Sequence, residues 1–228
     1  MQGGWPPQDT PDSILPSSAV AAGFEIGMLL RCARTGSGRH ERIAMEFSQA
    51  GAAARLATLL GALGIPAQRV DYAAGGRHRY TVHRVICPGL SEWPLERAWH
   101  LGYQRLCGGG EYRSARQRRH RADLAEAAWR AAVLSGGVRG GGGRRTGPLA
   151  VRASDTDIAV ILVRAARILE APARLLSVAG RHVVEVTPGA AELALRRLAV
   201  APVPVEAVAT DPGSFRPVCL GTREGIGR

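Results

Sequence analysis

Residues 154–186, SDTDIAVILVRAARILEAPARLLSVAGRHVVEV, decide the fold, because this one stretch predicts a helix, a strand, a turn and a second strand. Ser154 is a suitable helix N-cap, and apolar residues such as Ile158 and Leu162 follow at the spacing of one helix face. Ala-Gly at residues 179–180 then separates two aliphatic runs. The stretch predicts an amphipathic helix followed by an antiparallel hairpin.

The same pattern occurs about a hundred residues earlier in the chain. Residues 48–67, SQAGAAARLATLLGALGIPA, predict a helix with Gly64 as its C-cap, and residues 66–82, PAQRVDYAAGGRHRYTV, predict a hairpin. Both hairpins contain Gly-Arg-His, at residues 76–78 and 180–182, so we interpret His78 and His182 as equivalent turn residues. The repetition indicates an internal duplication.

The flanking segments extend each copy to six elements. In order, the predicted unit is helix, strand, helix, strand, strand, helix. The additional segments are helices over residues 24–34 and 123–137, strands over 41–47 and 147–153, and helices over 94–106 and 189–199. We predict an α+β fold of two pseudo-symmetric repeats. Each repeat has a mainly antiparallel sheet covered by helices on one face, and the first helices of the two repeats pack together at the centre.

This duplication divides the chain into five segments. We predict a disordered N-terminal segment over residues 1–19 and a disordered tail over 201–228, which has four Pro and no helical periodicity. The remaining segments are a first repeat over 20–107, an Arg-rich linker over 108–122 and a second repeat over 123–200.

The composition is that of a folded protein of 228 residues, with 46% apolar and 21% charged residues. Four scattered cysteines form no C-x-x-C pair, so we expect free thiols, no structural metal and no cofactor. No apolar run approaches the length of a membrane span, and the N-terminus lacks the pattern of a secretory signal. These features predict a cytoplasmic protein that does not contact a membrane.

The net charge of +11 favours a polyanionic partner. All thirty basic residues are Arg, and abundant Ala and Gly accompany them, a pattern that a GC-rich genome produces without selection for binding. Guanidinium groups nevertheless suit phosphate well. Charge therefore supports, without proving, a DNA partner.

Candidate DNA contacts on the sheets come from strand alternation. Residues 79–85 place Arg79, Thr81 and His83 on one face and Arg84 on the other. The first set is our predicted open face because it is the more polar, and both arginines are candidate DNA contacts. Their predicted counterparts in the second repeat are Arg174 and Arg181.

The densest charge lies outside the predicted strands. The linker EYRSARQRRHRA and the Gly-rich loop over residues 136–147 would be mobile arms that touch phosphates without reading sequence. Equally, both segments are consistent with solvated connections. The candidate residues on these arms are Arg113, Arg116, Arg118, Arg119, Arg121, Arg139, Arg144 and Arg145.

The order of these motifs resembles a known family. AAWRAAVLSGG followed by LAVRASDTDIAVILVRAARILEAPARLLSVAGRHVVEV is similar to the second repeat of the LAGLIDADG-like domain of WhiA-type sporulation regulators of Gram-positive bacteria. FEIGMLLRCAR, HERIAMEFSQAGAAARLATLL and RHRYTVHRV resemble the first repeat. The resemblance covers roughly residues 20–200. It implies DNA binding in transcriptional regulation of sporulation or cell division, with another transcription factor as a further partner.

The related homing endonucleases carry an acid at the end of each central helix, and two carboxylates hold the catalytic metal. Aligning that motif with WRAAVLSGGV puts Gly136 at the acidic position, and the first repeat offers Arg34. Neither residue can bind a divalent metal. The nearest acids, Glu25, Asp123 and Glu126, belong to the opposite ends of these helices. We therefore expect no catalytic residues and no nuclease activity.

The chain departs from the family at one point. WhiA-type regulators carry a helix-turn-helix domain after the repeats, whereas residues 201–228 show no recognition-helix pattern. Our prediction is a non-catalytic DNA-binding protein. The alternative is a protein interaction module without direct DNA binding, for which the Arg excess would be incidental and an exposed apolar patch would be expected.

Overall fold

The helices follow the predicted order, but each repeat has one strand more than predicted, because a short strand lies between the first helix and the strand predicted after it. This computed structural model describes residues 17–35, 42–77, 79–88, 90, 92–108, 114–139, 148–178 and 181–198. Its helices are α1 (Ser17–Cys32), α2 (Ala50–Ala62), α3 (Glu92–Cys107), α4 (Ala115–Gly136), α5 (Thr156–Ile168) and α6 (Pro188–Leu198). Its strands are β1 (Arg34–Thr35), β2 (Arg42–Phe47), β3 (Gln68–Ala74), β4 (Tyr80–Pro88), β5 (Gly137–Arg139), β6 (Leu149–Ala153), β7 (Ala173–Val178) and β8 (Arg181–Val186).

Two antiparallel sheets with the same strand order confirm the predicted α+β duplication. The first sheet has the order β1-β2-β4-β3, and the second has the order β5-β6-β8-β7. In each sheet the last two strands in this order, β4 with β3 and β8 with β7, form the hairpin that the sequence repeats. The unit of helix, two strands, helix, hairpin and helix therefore occurs twice, because the sequence pattern that specifies it occurs twice.

Strand register shows which residues of the two repeats are equivalent. Phe47 ends β2 three residues before α2 begins, as Ala153 ends β6 three residues before α5 begins. Phe47 pairs with His83, and Ala153 pairs with His182. The counterpart of His182 is therefore His83, and the predicted equivalence of His182 with His78 is wrong. The second hairpin is shorter, with strands of six residues against seven and nine, so matching Gly-Arg-His letters misaligned the turns.

The helices that lead into the hairpins end in the same way. The Ile65 amide donates to the Leu60 carbonyl, and the Ala171 amide donates to the Ala166 carbonyl, each at 2.9 Å. This backbone pattern is a Schellman motif, which needs a left-handed residue just before its last donor. Gly64 fills that position with φ 73°, but Glu170 fills it in the second repeat with φ 57°.

Side-chain caps set where two helices begin. Asp155, rather than the predicted Ser154, caps α5, because its carboxylate accepts from the Ile158 amide at 2.8 Å. Ser114 precedes α4, and its Oγ accepts from the Gln117 amide at 3.1 Å while the Gln117 Oε1 accepts from the Ser114 amide at 3.2 Å. This reciprocal pair is a capping box.

Two segments predicted to lack structure are therefore helical. Helix α4 begins at Ala115 instead of Asp123, and α1 begins at Ser17 instead of Phe24. The capping box explains the first correction, since S-A-R-Q at residues 114–117 satisfies the amides of the first turn. The Arg-rich residues from Ala115 onwards are the first turns of a central helix, and the prediction that they form a mobile arm is wrong.

The core lies between the sheets and around α1 and α4, which pack against each other as predicted. Phe24 of α1 stacks on Trp99 of α3 with ring centroids 5.3 Å apart. Gly102 leaves room for this, because a Cβ there would lie 2.2 Å from the Phe24 ring. Trp129 of α4 is also buried, and its indole N–H donates to the Leu162 carbonyl at 3.0 Å. Both Trp99 and Trp129 therefore belong to the core.

One buried carboxylate joins the two repeats. Glu25 of α1 is only 3% exposed, and its two oxygens accept from Arg55 of α2 at 2.7 and 2.8 Å. Arg130 of α4 donates to the same carboxylate at 3.0 Å and to the Leu198 carbonyl of α6 at 3.2 Å. These charge-assisted bonds also raise the pKa of Arg55. We call Glu25, Arg55 and Arg130 the central ion cluster.

The left-handed residue after α5 predicts a stabilising substitution. Glu170→Gly should raise the free energy of unfolding by roughly 0.5–1 kcal/mol, because glycine adopts positive φ without the Cβ clash of an L residue. Urea denaturation followed by circular dichroism measures this change. The matched Gly64→Ala variant should lower stability by about 1 kcal/mol. A Glu170→Gly protein less stable than the parent would contradict this account of the helix end.

The central ion cluster predicts a large loss of stability when its acid is removed. Glu25→Ala should cost about 3 kcal/mol in urea denaturation, because the partly buried Arg55 and Arg130 would lose the buried carboxylate that both contact. Arg130 would keep a more distant acidic partner, Glu126, at 3.9 Å. The control is Glu96→Ala, which removes an exposed ion pair to Arg31 at 3.4 Å and should cost less than about 0.5 kcal/mol. Equal effects from the two variants would show that the cluster does not hold the repeats together.

Candidate nucleic-acid interface

Burial identifies the face of the first sheet that is free of helices. Val85 and Cys87 of β4 are fully buried, and Met45, which pairs with Val85, is 1% exposed. These side chains point toward the helices. By alternation, Glu46 and Arg84 point to the opposite, open face, and His83 lies on the helix side. The predicted open face was therefore wrong: it is the Arg84 set, and not the set of Thr81 and His83, that faces away from the helices.

Arg84 is held on this open face by a compact polar cluster. Its Nε donates to Glu46 Oε1 at 3.0 Å, and its Nη2 donates to the Tyr72 hydroxyl at 3.1 Å. The Tyr72 hydroxyl donates to Glu46 at 2.8 Å, and the guanidinium lies 4.7 Å from the Tyr72 ring centroid. The hydrogen bond to Glu46 raises the pKa of Arg84. Glu46 offsets the positive charge of Arg84, so the first sheet presents a nearly neutral polar surface here.

The open face of the second sheet carries an excess of arginine. Val151 and Val184 are buried against the helices, so Arg152, Arg181 and Glu185 alternate to the other side. Arg174 pairs with Glu185 across the β7–β8 ladder, donating through Nε at 2.9 Å and Nη2 at 2.6 Å, yet it stays 68% exposed. We call Arg152, Arg174 and Arg181 the second-sheet arginines.

Arg152 was missed by the sequence analysis, although the alternation in LAVRA could have indicated it. Its equivalent in the first repeat is Glu46, since each lies one residue before the strand end that precedes α2 or α5. The duplication thus carries opposite charges at matching positions. The two open faces differ in electrostatic potential, and the second is the better match for phosphate.

Asp71, Arg69 and His83 form a separate group on the other side of the first hairpin. Arg69 donates to the Asp71 carboxylate at 2.8 Å, and His83 Nδ1 lies 3.0 Å from it. Hydrogen bonds from Arg69 and then His83 hold the pKa of Asp71 far below its usual range. Asp71 pairs with His83, and both alternate with the residues on the Arg84 side, so this group is not part of the open face.

The other predicted contacts fall in several places. Arg79 is exposed just before β4, and the backbone of Arg139 pairs with Leu149 in the short strand β5. Arg113, Arg144 and Arg145 lie outside the described residues, as do 1–16 and 199–228. Arg116, Arg118 and Arg119 are exposed on the first turns of α4, where Arg121 also lies. The candidate residues therefore do not form one surface.

Helix α4 separates two groups of these arginines. Its C-terminal residue, Gly136, leads directly into β5 of the second sheet, whereas Arg116 and Arg119 occupy its N-terminal turns. A helix of 22 residues is about 33 Å long. A duplex segment lying on the sheets beside the end of α4 would be about that distance from Arg116.

The ends of the central helices contain no paired acids at the aligned positions. Met45 and Val151 are equivalent, because each lies two residues before the end of its strand. Met45 pairs with Thr35 and Val151 pairs with Gly137. The residues just before these partners, Arg34 and Gly136, are therefore equivalent, as the sequence alignment assumed. Burial, with a smaller contribution from the charge of Asp155, raises the pKa of the nearby Cys32 thiol to about 11, and a hydrogen bond with Ser135 opposes this rise. The Asp155 carboxylate already accepts from Ile158 and Ser154.

Within the part of the chain that the structure describes, no group of three or more His, Cys, Asp or Glu residues is arranged to hold a metal. Cys32, Cys87 and Cys107, the cysteines in that part, are free thiols. Among the described helices, none combines the length and apolar character that crossing a bilayer requires.

Comparison with solved structures identifies the fold. The chain is similar to the N-terminal LAGLIDADG domain of DUF199/WhiA, with a TM-score of 0.53 at 15% identity over 85% of this chain and 88% of that one. Full-length DUF199/WhiA from Thermatoga maritima gives a TM-score of 0.53 at 12% identity over 85% of this chain. The homing endonuclease I-WcaI, bound to its DNA recognition sequence, gives a TM-score of 0.50 at 9% identity over 83% of this chain and 88% of that one.

These likenesses show a LAGLIDADG-like fold of the kind found in WhiA. This chain spans 58% of the length of the full-length WhiA structure. Neither the models of protein families nor the curated protein sequences gave a match.

Proposed function

We propose that this protein binds duplex DNA on the open faces of its two sheets, with the second-sheet arginines making the main phosphate contacts. The observation that carries this proposal is the charge of the second open face: the described strands of this sheet place Arg152, Arg174 and Arg181 there together with the acid Glu185. Arginines on a twisted, helix-free sheet can follow the backbone of a duplex. I-WcaI, which shares the fold, is bound to DNA in its structure.

The first sheet contributes differently to the proposed interface. Arg84 is fixed by Glu46 and Tyr72, so its guanidinium is positioned before DNA arrives and loses little conformational freedom on binding. Its charge, however, is offset by Glu46. This side should therefore orient the duplex through polar contacts more than attract it through net charge.

The likeness to WhiA supports a regulatory role in place of a catalytic one. In this proposal the protein is a transcriptional regulator of sporulation or cell division that acts in the cytoplasm and binds DNA without cutting it. Arg34 and Gly136 support the absence of cutting, because neither can supply an oxygen ligand from a carboxylate.

A protein interaction module remains the second candidate function. Leu193 of α6 is 63% exposed and Leu175 of β7 is 45% exposed, and exposed apolar side chains of this size suit a protein partner. Under this hypothesis the partner would be another transcription factor, and DNA affinity would be absent at low salt.

Removing the second-sheet arginines should weaken DNA binding. In fluorescence anisotropy with a labelled random duplex, the triple variant Arg152→Gln, Arg174→Gln, Arg181→Gln should bind more weakly. Its plot of log affinity against log salt should be shallower by about 2–3, because each neutralised phosphate contributes roughly 0.9 to the slope.

The matched control is the double variant Glu46→Gln, Arg84→Gln, which removes two charged groups from the first sheet without changing the net charge. Its salt slope should stay close to that of the unmodified protein. Identical affinity and slope for the triple variant and the parent would contradict the proposed interface, and absence of binding at low salt would favour the protein interaction module.

The proposed absence of nuclease activity is tested directly with a supercoiled plasmid. Incubation with protein and Mg²⁺ or Mn²⁺ should leave the plasmid supercoiled, because the aligned positions lack the carboxylates that hold a catalytic metal. Nicked or linear products that disappear with EDTA would overturn this part of the proposal.

A further inference from the structure

A second concentration of positive charge lies where α3 ends and α4 begins. The Arg105 guanidinium contacts the His120 ring, Arg121 donates to the Leu106 carbonyl at 3.1 Å, and Arg164 of α5 donates to the Cys107 carbonyl at 2.8 Å. Exposed arginines on the first turns of α4 adjoin them. We define the α3–α4 basic cluster as Arg105, Arg116, Arg119, Arg121 and Arg164.

Neighbouring groups report the positive potential of this cluster. Burial and then the charge of Arg105 lower the pKa of His120, and Arg116 lowers it further while Asp123 opposes the shift. Burial raises the pKa of Cys107, and the charges of Arg164 and Arg121 oppose that rise. Four arginines of the cluster, Arg105, Arg116, Arg121 and Arg164, thus shift the pKa of a neighbouring group, and Asp123 and Asp157 act in the opposite direction.

The position of the cluster on α4 makes the excess charge costly for the fold. The first turn of α4 contains no acid, so the positive end of the helix dipole meets arginines in place of the acids that usually stabilise it. Bonds from Arg121 and Arg164 to the last carbonyls of α3 account for two of the five arginines as helix caps. Arg116 and Arg119 are exposed, and capping does not explain them.

We propose that the α3–α4 basic cluster binds the phosphate backbone of a second DNA segment, so that one chain bridges two duplexes. The proposal rests on the proposed function, since the sheets bind the first segment. Helix α4 is about 33 Å long and carries Arg116 and Arg119 at the end opposite β5, and the open faces of the sheets point away from the helices, so a duplex on those faces does not cover these two arginines. Arginines spread over three helices suit a continuous row of phosphates better than a single acidic side chain.

Bridging of two short duplexes tests this inference. A donor-labelled and an acceptor-labelled duplex are mixed with the full chain at low salt, and energy transfer between them is measured. The unmodified protein should bring the labels together. The variant Arg116→Gln, Arg119→Gln should lose energy transfer and bind the second duplex about tenfold more weakly, with a salt slope shallower by about two. Its anisotropy with a single limiting duplex should be unchanged.

A control of equal charge separates this site from bulk charge. Arg97→Gln, Arg196→Gln also removes two exposed arginines, and it should keep full energy transfer. Bridging that survives Arg116→Gln, Arg119→Gln, or that both variants lose equally, would overturn the inference, as would binding of one duplex without bridging. No binding of any duplex would instead show that the proposed function itself is wrong. Binding of poly-glutamate that Arg116→Gln, Arg119→Gln abolishes, with no second duplex bound to the unmodified protein, would identify an acidic protein as the partner and also overturn the proposal.

Discussion

The structure depends on the packing of α1 against α4, which the Glu25 carboxylate holds in register. Glu25 comes from the first repeat, and its partners Arg55 and Arg130 come from both repeats. Since Arg130 also binds the end of α6, the cluster reaches the last described helix of the second repeat. Buried ion pairs add little stability over apolar packing, but they allow few alternative arrangements. The relative placement of the two sheets therefore follows from this contact and the small side chains around it.

Duplication supplied two sheets of the same topology, and later substitutions made them different. Glu46 and Arg152 occupy equivalent positions with opposite charge. The first sheet carries a pre-positioned, nearly neutral cluster, whereas the second carries the excess charge. In the proposed complex, this asymmetry would fix which end of a duplex meets which repeat. The residues at the aligned positions at the ends of the central helices, Arg34 and Gly136, have no carboxylate in either repeat.

Periodicity predicted the duplicated α+β fold correctly, because each element repeats a strong local signal such as the spacing of Ile158 and Leu162. Element ends were harder. The capping box at Ser114 was readable in the sequence, but the high charge of the segment suggested a linker. The faces of β4 were assigned by polarity, and this failed because Glu46 and Tyr72 cover Arg84 from neighbouring strands, a contact that a single strand cannot reveal. Likewise, only strand register could match His182 with His83.

The candidate site was predicted only in part. Arg174 and Arg181 lie on an open face as expected, whereas Arg116, Arg118, Arg119 and Arg121 belong to the far end of α4. That division depends on where the helix starts, and composition carries no such information. Charge density alone therefore merged two surfaces that the fold keeps apart.

Hydrogen exchange of the full chain, measured by mass spectrometry with and without a limiting amount of random duplex, tests the central claim most directly. The account predicts slower exchange in peptides that cover β6, β7 and β8, with a smaller effect in β3 and β4. Unchanged exchange in all of these strands under conditions where anisotropy shows the duplex bound would contradict it, and would move the DNA surface to the helices.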